Sequence, residues 1–426
     1  MDHVLDIENI STSIEKELEI LSPLSEECCI YRVPKALRNL NETAYTPQLV
    51  SIGPIHHGKP ELKQMEEHKK RSLQEFLHLT NVSIASFVDR IKAKETKFRN
   101  CYAETLEFSS EDLVKMILVD VAFVIMVLLK FSCQNLRSSN DRIYSRPWME
   151  NEVRYDLLLL ENQLPFFILK DLYEYSDVSN RIQEEGLSMI KLTREFFKGK
   201  WGLWVTRDVL ENQNLSNEVV HFVDFLRISQ KPSKSGVEDQ EKPKEAISLY
   251  APTATELQQA GVKFELSSSR KKLDIQFNNG VLKIPLLRIT RKTEFFLRNL
   301  QAFEQCHCKD KYINDYIAFI TMLVKNPKDL EILVKSGILV HGRWNNDSLS
   351  AVFLNLALGN FVSHKSFYLS GLVEDLNLYC GKSWHKWKAT LKEQYFNSPW
   401  AVISVIAASI LLILTIIQTV CTVMQI

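Results

Sequence analysis

The chain has 426 residues, with Lys plus Arg and Asp plus Glu both at 52 and a formal net charge of +0. That balance provides no overall positive field for nucleic acid, and no nucleic-acid partner is expected. Eight cysteines, including the adjacent Cys28 and Cys29, form no dense framework in a chain this long and point to free thiols in a reducing compartment.

Taken in chain order, residues 1–28 form an amphipathic N-terminal segment. Val4, Ile7, Ile14, Leu18 and Leu21 are spaced as one face of a helix that ends before Pro23. Its acidic start lacks a continuous apolar stretch and does not read as a secretory signal. A body at 29–398 follows. From Ala44 to Gly58, repeated Pro and Gly oppose helix and predict extended backbone pinned by turns. His56 and His57 fall in this stretch, where neighbouring side chains face opposite sides and do not readily ligate one metal together. A helix is expected from Pro60 through Leu79, with Lys69-Lys70-Arg71 on a solvated face, as for Arg270-Lys271-Lys272. Leu113 to Phe131 is strongly apolar but interrupted by Lys115, Asp120 and Lys130. Crossing lipid would bury Asp120 there, so a core helix is expected instead. After a polar loop at 132–147, Glu161-Asn162-Gln163 sits between apolar runs. Such a triplet before Pro165 suits the satisfaction of backbone groups at a helix end.

Ser229 to Ala246 is rich in Lys, Glu, Pro and Ser, and reads as a flexible insert (229–246) dividing the body into two lobes. Beyond it the apolar period changes to two. Leu273, Ile275 and Phe277 alternate, Asn279-Gly280 supplies a two-residue turn, and Leu282, Ile284 and Leu286 alternate on the return. The expected pairs are Phe277 with Leu282, Ile275 with Ile284 and Leu273 with Leu286. Helical spacing resumes with Phe295, Phe296, Leu300 and Phe303. Asn326-Pro327 opens another helix and Gly337 closes it. Cys306-His307-Cys308 lacks a second ligand pair at a suitable spacing, so no metal is expected there. The fold class is mainly α (α+β): a large helical body with a small antiparallel β-hairpin in the second half.

The last element expected is a transmembrane helix at 399–424. Trp400 to Ile426 carry no charge, and twelve residues from Ala401 to Val420 are Ile, Leu or Val, favouring insertion by roughly 5 kcal/mol. Ile410, Leu414 and Val420 would face lipid, with Ala401 near the start and Trp400 at the interface. Lys382, Lys386, Lys388 and Lys392 precede the segment and no Lys or Arg follows it. The expected arrangement is a tail-anchored protein with a cytosolic body and the lipid bilayer as a partner, the plasma membrane weakly preferred for its thickness. Sequons at Asn9, Asn41, Asn81, Asn214 and Asn346 would suit the opposite topology, with the body exterior.

No Walker loop, dinucleotide fingerprint, metalloprotease helix, nucleophile elbow or kinase signature occurs, so no catalytic, cofactor-binding or metal-binding residue is assigned. His56, His57 and Glu161 form the polar centre that an enzymatic reading would have to use. The segments Ile30–Pro34, Tyr45–Gly58, Met65–Lys69, Leu158–Phe167, Thr255–Phe264, Asn299–Gln305 and Tyr395–Trp400 occur in an order that resembles the plant family known as domain of unknown function 247. The resemblance runs from about residue 29 to 420. It implies a plant-specific, membrane-associated protein without an established activity or catalytic residues, and association of some members with self-incompatibility in grasses points to recognition. The reading that follows is a non-enzymatic interaction or signalling protein with unidentified protein partners. The alternatives are a membrane-bound enzyme of unrecognised type and an exterior recognition protein.

Overall fold

The computed structural model describes residues 2–20, 25–184, 186–198, 219–232, 250–269, 271–290, 292–342, 346–362, 366–381 and 399–424. It divides into two compact units: Met1–Ser229 with Phe295–Lys309, and Gln230–Glu294 with Asp310–Ile426. Helices dominate both, with two small sheets.

The first unit contains α1 (Asp2–Ile20), α2 (Lys63–Thr80), α3 (Ile84–Lys92), α4 (Ser110–Ser132), α5 (Pro147–Asp156), α6 (Phe166–Ser176), α7 (Met189–Lys198) and α8 (Phe222–Ile228). The central member is α4, packed by α2, α3, α6 and α7. Apart from the exposed Lys115 and the paired Asp120 it is apolar and buried from Leu113 to Leu129, and a helix of that kind is stable only when surrounded. Ser109 caps its start, accepting from Asp112 N at 3.1 Å. Glu111 and Asp112 complement the dipole at this end and Lys130 does so at the other. Lys130 is buried against Asp141 and Glu75, at 2.8 and 2.6 Å. The expected core helix is therefore present.

Between α1 and α2 the described residues form a single helical turn at Lys35–Arg38, 3-10 turns at Glu42–Tyr45 and Pro60–Leu62, and otherwise turns and extended chain, with a bridge between Ile30 and Tyr102. In α2, Lys69 departs from the solvated face expected for it. It lies on the buried stripe with Met65, Phe76 and Thr80, whereas Lys70 and Arg71 are exposed. The stripe follows helical spacing, so burial of Lys69 is set by its register and made tolerable by a carboxylate opposite.

The second unit comprises α9 (Ala254–Gln259), β1 (Lys263–Ser267), β2 (Gln276–Asn278), β3 (Val281–Pro285), β4 (Leu287–Ile289), the start of α10 (Thr293–His307), α11 (Tyr312–Leu323), α12 (Pro327–Lys335), β5 (Leu339–His341), α13 (Asn346–Leu358), α14 (Ser370–Gly381) and α15 (Pro399–Met424). The hairpin turns at Asn279 and Gly280, with φ of 50° and 77° as a primed turn needs. Phe277 pairs with Leu282 as expected, but the β2 ladder is only three residues long and does not include Ile275 or Leu273. On its other side β3 pairs in parallel with β1, from Lys263 with Val281 to Ser267 with Pro285. A second parallel pair joins β4 to β5. The hairpin is thus the middle and one edge of a mixed three-stranded sheet. Capping boxes at Thr253/Glu256 and Asn326/Asp329 fix the starts of α9 and α12.

The C-terminal expectation is corrected. Residues 399–424 are helical, with Ile410, Leu414 and Val420 exposed. Among the described residues, however, no helix is long and apolar enough to cross a membrane. The side chains of Trp400 and Ala401, the lysines at 382–392, the sequon at Asn214, Arg270 and insert residues 233–246 lie outside the described residues.

Candidate functional site

The most polar interior of the first unit surrounds the extended segment Pro47–Pro54. This segment has no strand partner, yet its backbone is buried at Val50, Ser51, Ile52 and Gly53 and must find hydrogen bonds elsewhere. Side chains supply them. The Asp156 carboxylate accepts from Gln48 N, Leu49 N and Val50 N at 2.9, 2.7 and 2.8 Å. Asn162 accepts from Ile52 N at 2.8 Å and donates to Val50 O at 3.0 Å and Asp156 O at 2.9 Å. Asp120 accepts from Gly53 N at 2.8 Å, and Lys69 donates to Ser51 O at 2.9 Å. Burial pushes the Asp156 carboxyl up to about 6, even though the three backbone N–H groups pull it down.

Gln163 completes the frame. Its Nε2 donates to Leu157 O and Leu159 O, both at 2.8 Å, and its Oε1 accepts from Phe222 N at 3.0 Å. Its own carbonyl accepts from the Tyr102 hydroxyl at 2.9 Å. Gly53, at φ +75°, lies so close to this carbonyl that a Cβ would come within 2.5 Å of the oxygen. The polar triplet therefore does satisfy backbone groups, both at the end of α5 (Asp156 O, Leu157 O and Leu159 O) and in distant segments (Val33 N, Val50 O, Ile52 N and Phe222 N).

Glu161 is buried and fully engaged. Oε1 accepts from Val33 N at 2.7 Å, and Oε2 accepts from the Arg38 guanidinium. His56 Nε2 lies 3.0 Å from the same Oε2 but without the alignment of a hydrogen bond. Burial raises the Glu161 carboxyl, but the His56 ring, Arg38 and the Val33 N–H outweigh it, so it sits below the usual carboxylate range. Burial holds His56 below the usual imidazole range against the pull of Glu161. Both residues are 1 % exposed, which closes this pair to any bulky reactant.

His57 is in a different setting. It turns from the Glu161 pair toward an open cleft of about 780 Å³, where its ring meets Phe108 edge-on at 5.8 Å. The two neighbouring histidines thus serve opposite sides of one segment. Ser51 and Asp120 also line the cleft, which is bordered by the starts of α2 and α4. Asp120 and Glu66 both bind Lys69 Nζ at 2.6 Å, and this pair of carboxylates raises Lys69 despite its burial.

Of the three candidate residues from the sequence, the structure brings His56 and Glu161 together and leaves His57 apart. Arg38, Asp156 and Ser51 carried no expectation there, and Lys69 was expected on a solvated face. The signal for Lys69 was its place on the Met65–Phe76 stripe; for Arg38 and Asp156 no local signal exists, because their partners are far away in the chain. Cys306-His307-Cys308 falls at the end of α10, where His307 stacks on Phe303 at 5.1 Å and Nδ1 lies 3.1 Å from the Tyr31 hydroxyl. Among the described residues no group of three or more His, Cys, Asp or Glu is placed to hold a metal.

A mostly helical frame with a buried polar lattice, and with no exposed catalytic constellation among the described residues, defines a class by its scaffold rather than by a reaction. The chain belongs to the plant protein family of unknown function, domain of unknown function 247, whose model matches residues 30–414. It is 30% identical to UPF0481 protein At3g47200 of Arabidopsis thaliana, over 96% of this chain and 89% of that protein. A second UPF0481 protein of the same plant, At3g02645, is 24% identical over 96% of this chain and 93% of its own length. No solved structure matches.

Proposed function

We propose that the protein is a non-enzymatic interaction protein that docks a partner through its N-terminal helix. The observation that carries this reading is the apolar stripe of α1. Ile7, Ile10, Ile14 and Leu18 recur at helical spacing and are 60, 54, 50 and 60 % exposed. An amphipathic helix displaying such a stripe fits an apolar groove or a second helix on a partner. The family motifs support the non-catalytic half of the proposal. Their most polar residues, Glu161, Asn162 and Gln163, hold backbone together inside the unit.

The same reading puts the body in the cytosol, in keeping with free thiols at all seven described cysteines. The test is proximity labelling in plant cells with the full chain and with Ile7→Asp/Ile14→Asp. A reproducible partner set that disappears in the double variant, at unchanged protein abundance, is the expected result. A partner set unaffected by the two charges, or no reproducible partner, would overturn the reading.

A further inference from the structure

The cleft beside His57 holds polar groups for which the fold provides no partner. Ser51 is 1 % exposed, and its hydroxyl has no hydrogen bond. Nδ1 of His57, on the same lining, has none either. In native interiors an unsatisfied buried hydroxyl is the exception, and in a cleft it marks where an occupant's polar atom belongs.

The charges lining the cleft are unequally available. Asp120 and Glu66 are both held by Lys69, and Asp112 accepts the Ser109 hydroxyl at 2.7 Å. These three carboxylates are engaged within the fold. Lys59, Lys63, Lys70 and Lys115 line the same cleft and form no ion pair among the described residues, against one unpaired lining carboxylate, Glu107. The N-terminal end of the 23-residue helix α4 opens here as well, adding the positive end of its dipole. Phe108, Met116, Leu62 and Val119 supply an apolar wall.

We propose that this cleft binds a small phosphate monoester with an apolar body. A phosphate group carries close to two negative charges and three strong acceptor oxygens, enough for the lysines together with Ser51 Oγ and His57 Nδ1. A carboxylate has one charge and fewer acceptors. The volume of about 780 Å³ suits a small organic molecule, with the wall covering its non-phosphate part. The proposal concerns α2, α4 and the segment Ser51–Pro60, so it stands or falls independently of partner docking by α1.

Calorimetric titration of the full chain with phenyl phosphate tests it, with benzoate and phenol as controls. Saturable binding of phenyl phosphate is expected, about tenfold weaker with benzoate and absent with phenol. Ser51→Ala and Lys63→Gln/Lys115→Gln are each expected to weaken binding by about fivefold or more, with thermal midpoints no lower than that of the parent. A parallel arm measures binding to phosphatidylcholine vesicles with and without phosphatidic acid. Binding of phenyl phosphate alone assigns a free small phosphate, and binding of the phosphatidic acid vesicles assigns a lipid headgroup; each supports the site if the variants lose it. Failure of both probes to bind, equal binding of phenol, or parental affinity in both variants would overturn the proposal.

Discussion

The two sides of the segment from Val50 to Gly58 make an informative contrast. On the inner side, Glu161, Asp156, Asn162 and Gln163 engage their polar atoms with the Arg38 side chain and with backbone groups both near and remote in the first unit. On the cleft side, Ser51 Oγ and His57 Nδ1 bond to nothing, and four lysines stand without a carboxylate. Adjacent residues of one motif therefore have opposite fates: His56 is enclosed beside Glu161 while His57 borders open space. A motif rich in polar residues is not by that fact a reactive site. The groups that remain available for binding are the ones its scaffold does not need.

The contrast predicts steeply graded effects of substitution. Glu161→Ala leaves Arg38 and Val33 N without their acceptor and His56 without its neighbouring carboxylate, and is expected to lower stability by about 3–5 kcal/mol, measurable by chemical denaturation. A loss below ~1 kcal/mol would show that the inner lattice is dispensable. Gly53→Ala forces a side chain into a left-handed backbone and against the Gln163 carbonyl; a loss of about 2–3 kcal/mol is expected in the same assay.

Acidification probes the inner side in another way. His221 is wholly buried, with Nδ1 accepting from Asp224 N at 3.2 Å and Nε2 donating to Cys29 O at 3.0 Å. Burial lowers it from 6.5 to about 3. Between these values the unfolded chain takes up a proton that the folded chain refuses. The stability it contributes is complete above about 6.5 and is lost as the pH falls toward 3. His56 shifts in the same direction. Denaturation midpoints measured across this window should fall with pH, and less steeply in His221→Asn, where Asn can keep the helix cap.

The smallest effect is expected on the cleft side. Ser51→Ala removes a hydroxyl that bonds to nothing and should leave stability unchanged or raise it by up to ~1 kcal/mol. A clear loss in this variant would erase the distinction between the two sides.

Legibility in the sequence followed the range of the interactions involved. The core helix around Asp120 could be read from its own apolar run, and the hairpin turn from Asn279-Gly280, because both are local. The parallel partner β1 could not: its burial alternates poorly, and its register with β3 depends on residues eighteen positions away (Lys263 with Val281). The pairing of β4 with β5 spans a still longer separation. Opposite orientation of His56 and His57 was expected from extended backbone, whereas the two residues lie in a turn. The acceptor for Lys69, 51 residues away in Asp120, was not, nor was the lack of any partner for Ser51. Hydropathy alone also suggested a membrane span at the end of the chain, which the described residues do not bear out.

The absence of a strand partner for Pro47–Pro54 has a consequence for how the chain acquires its structure. A strand zips onto a neighbour one residue after another, but this segment is fastened at separate points by Lys69, Asp120, Asp156 and Asn162, up to 112 positions away in sequence. Each fastening closes a long loop, so none can form early at low entropic cost. During synthesis the segment emerges well before the residues that hold it. Its native path becomes available only after α4 and α5 have formed and the ribosome has passed Gln163. The second of the family motifs to be translated is, on this account, among the last parts of its unit to settle.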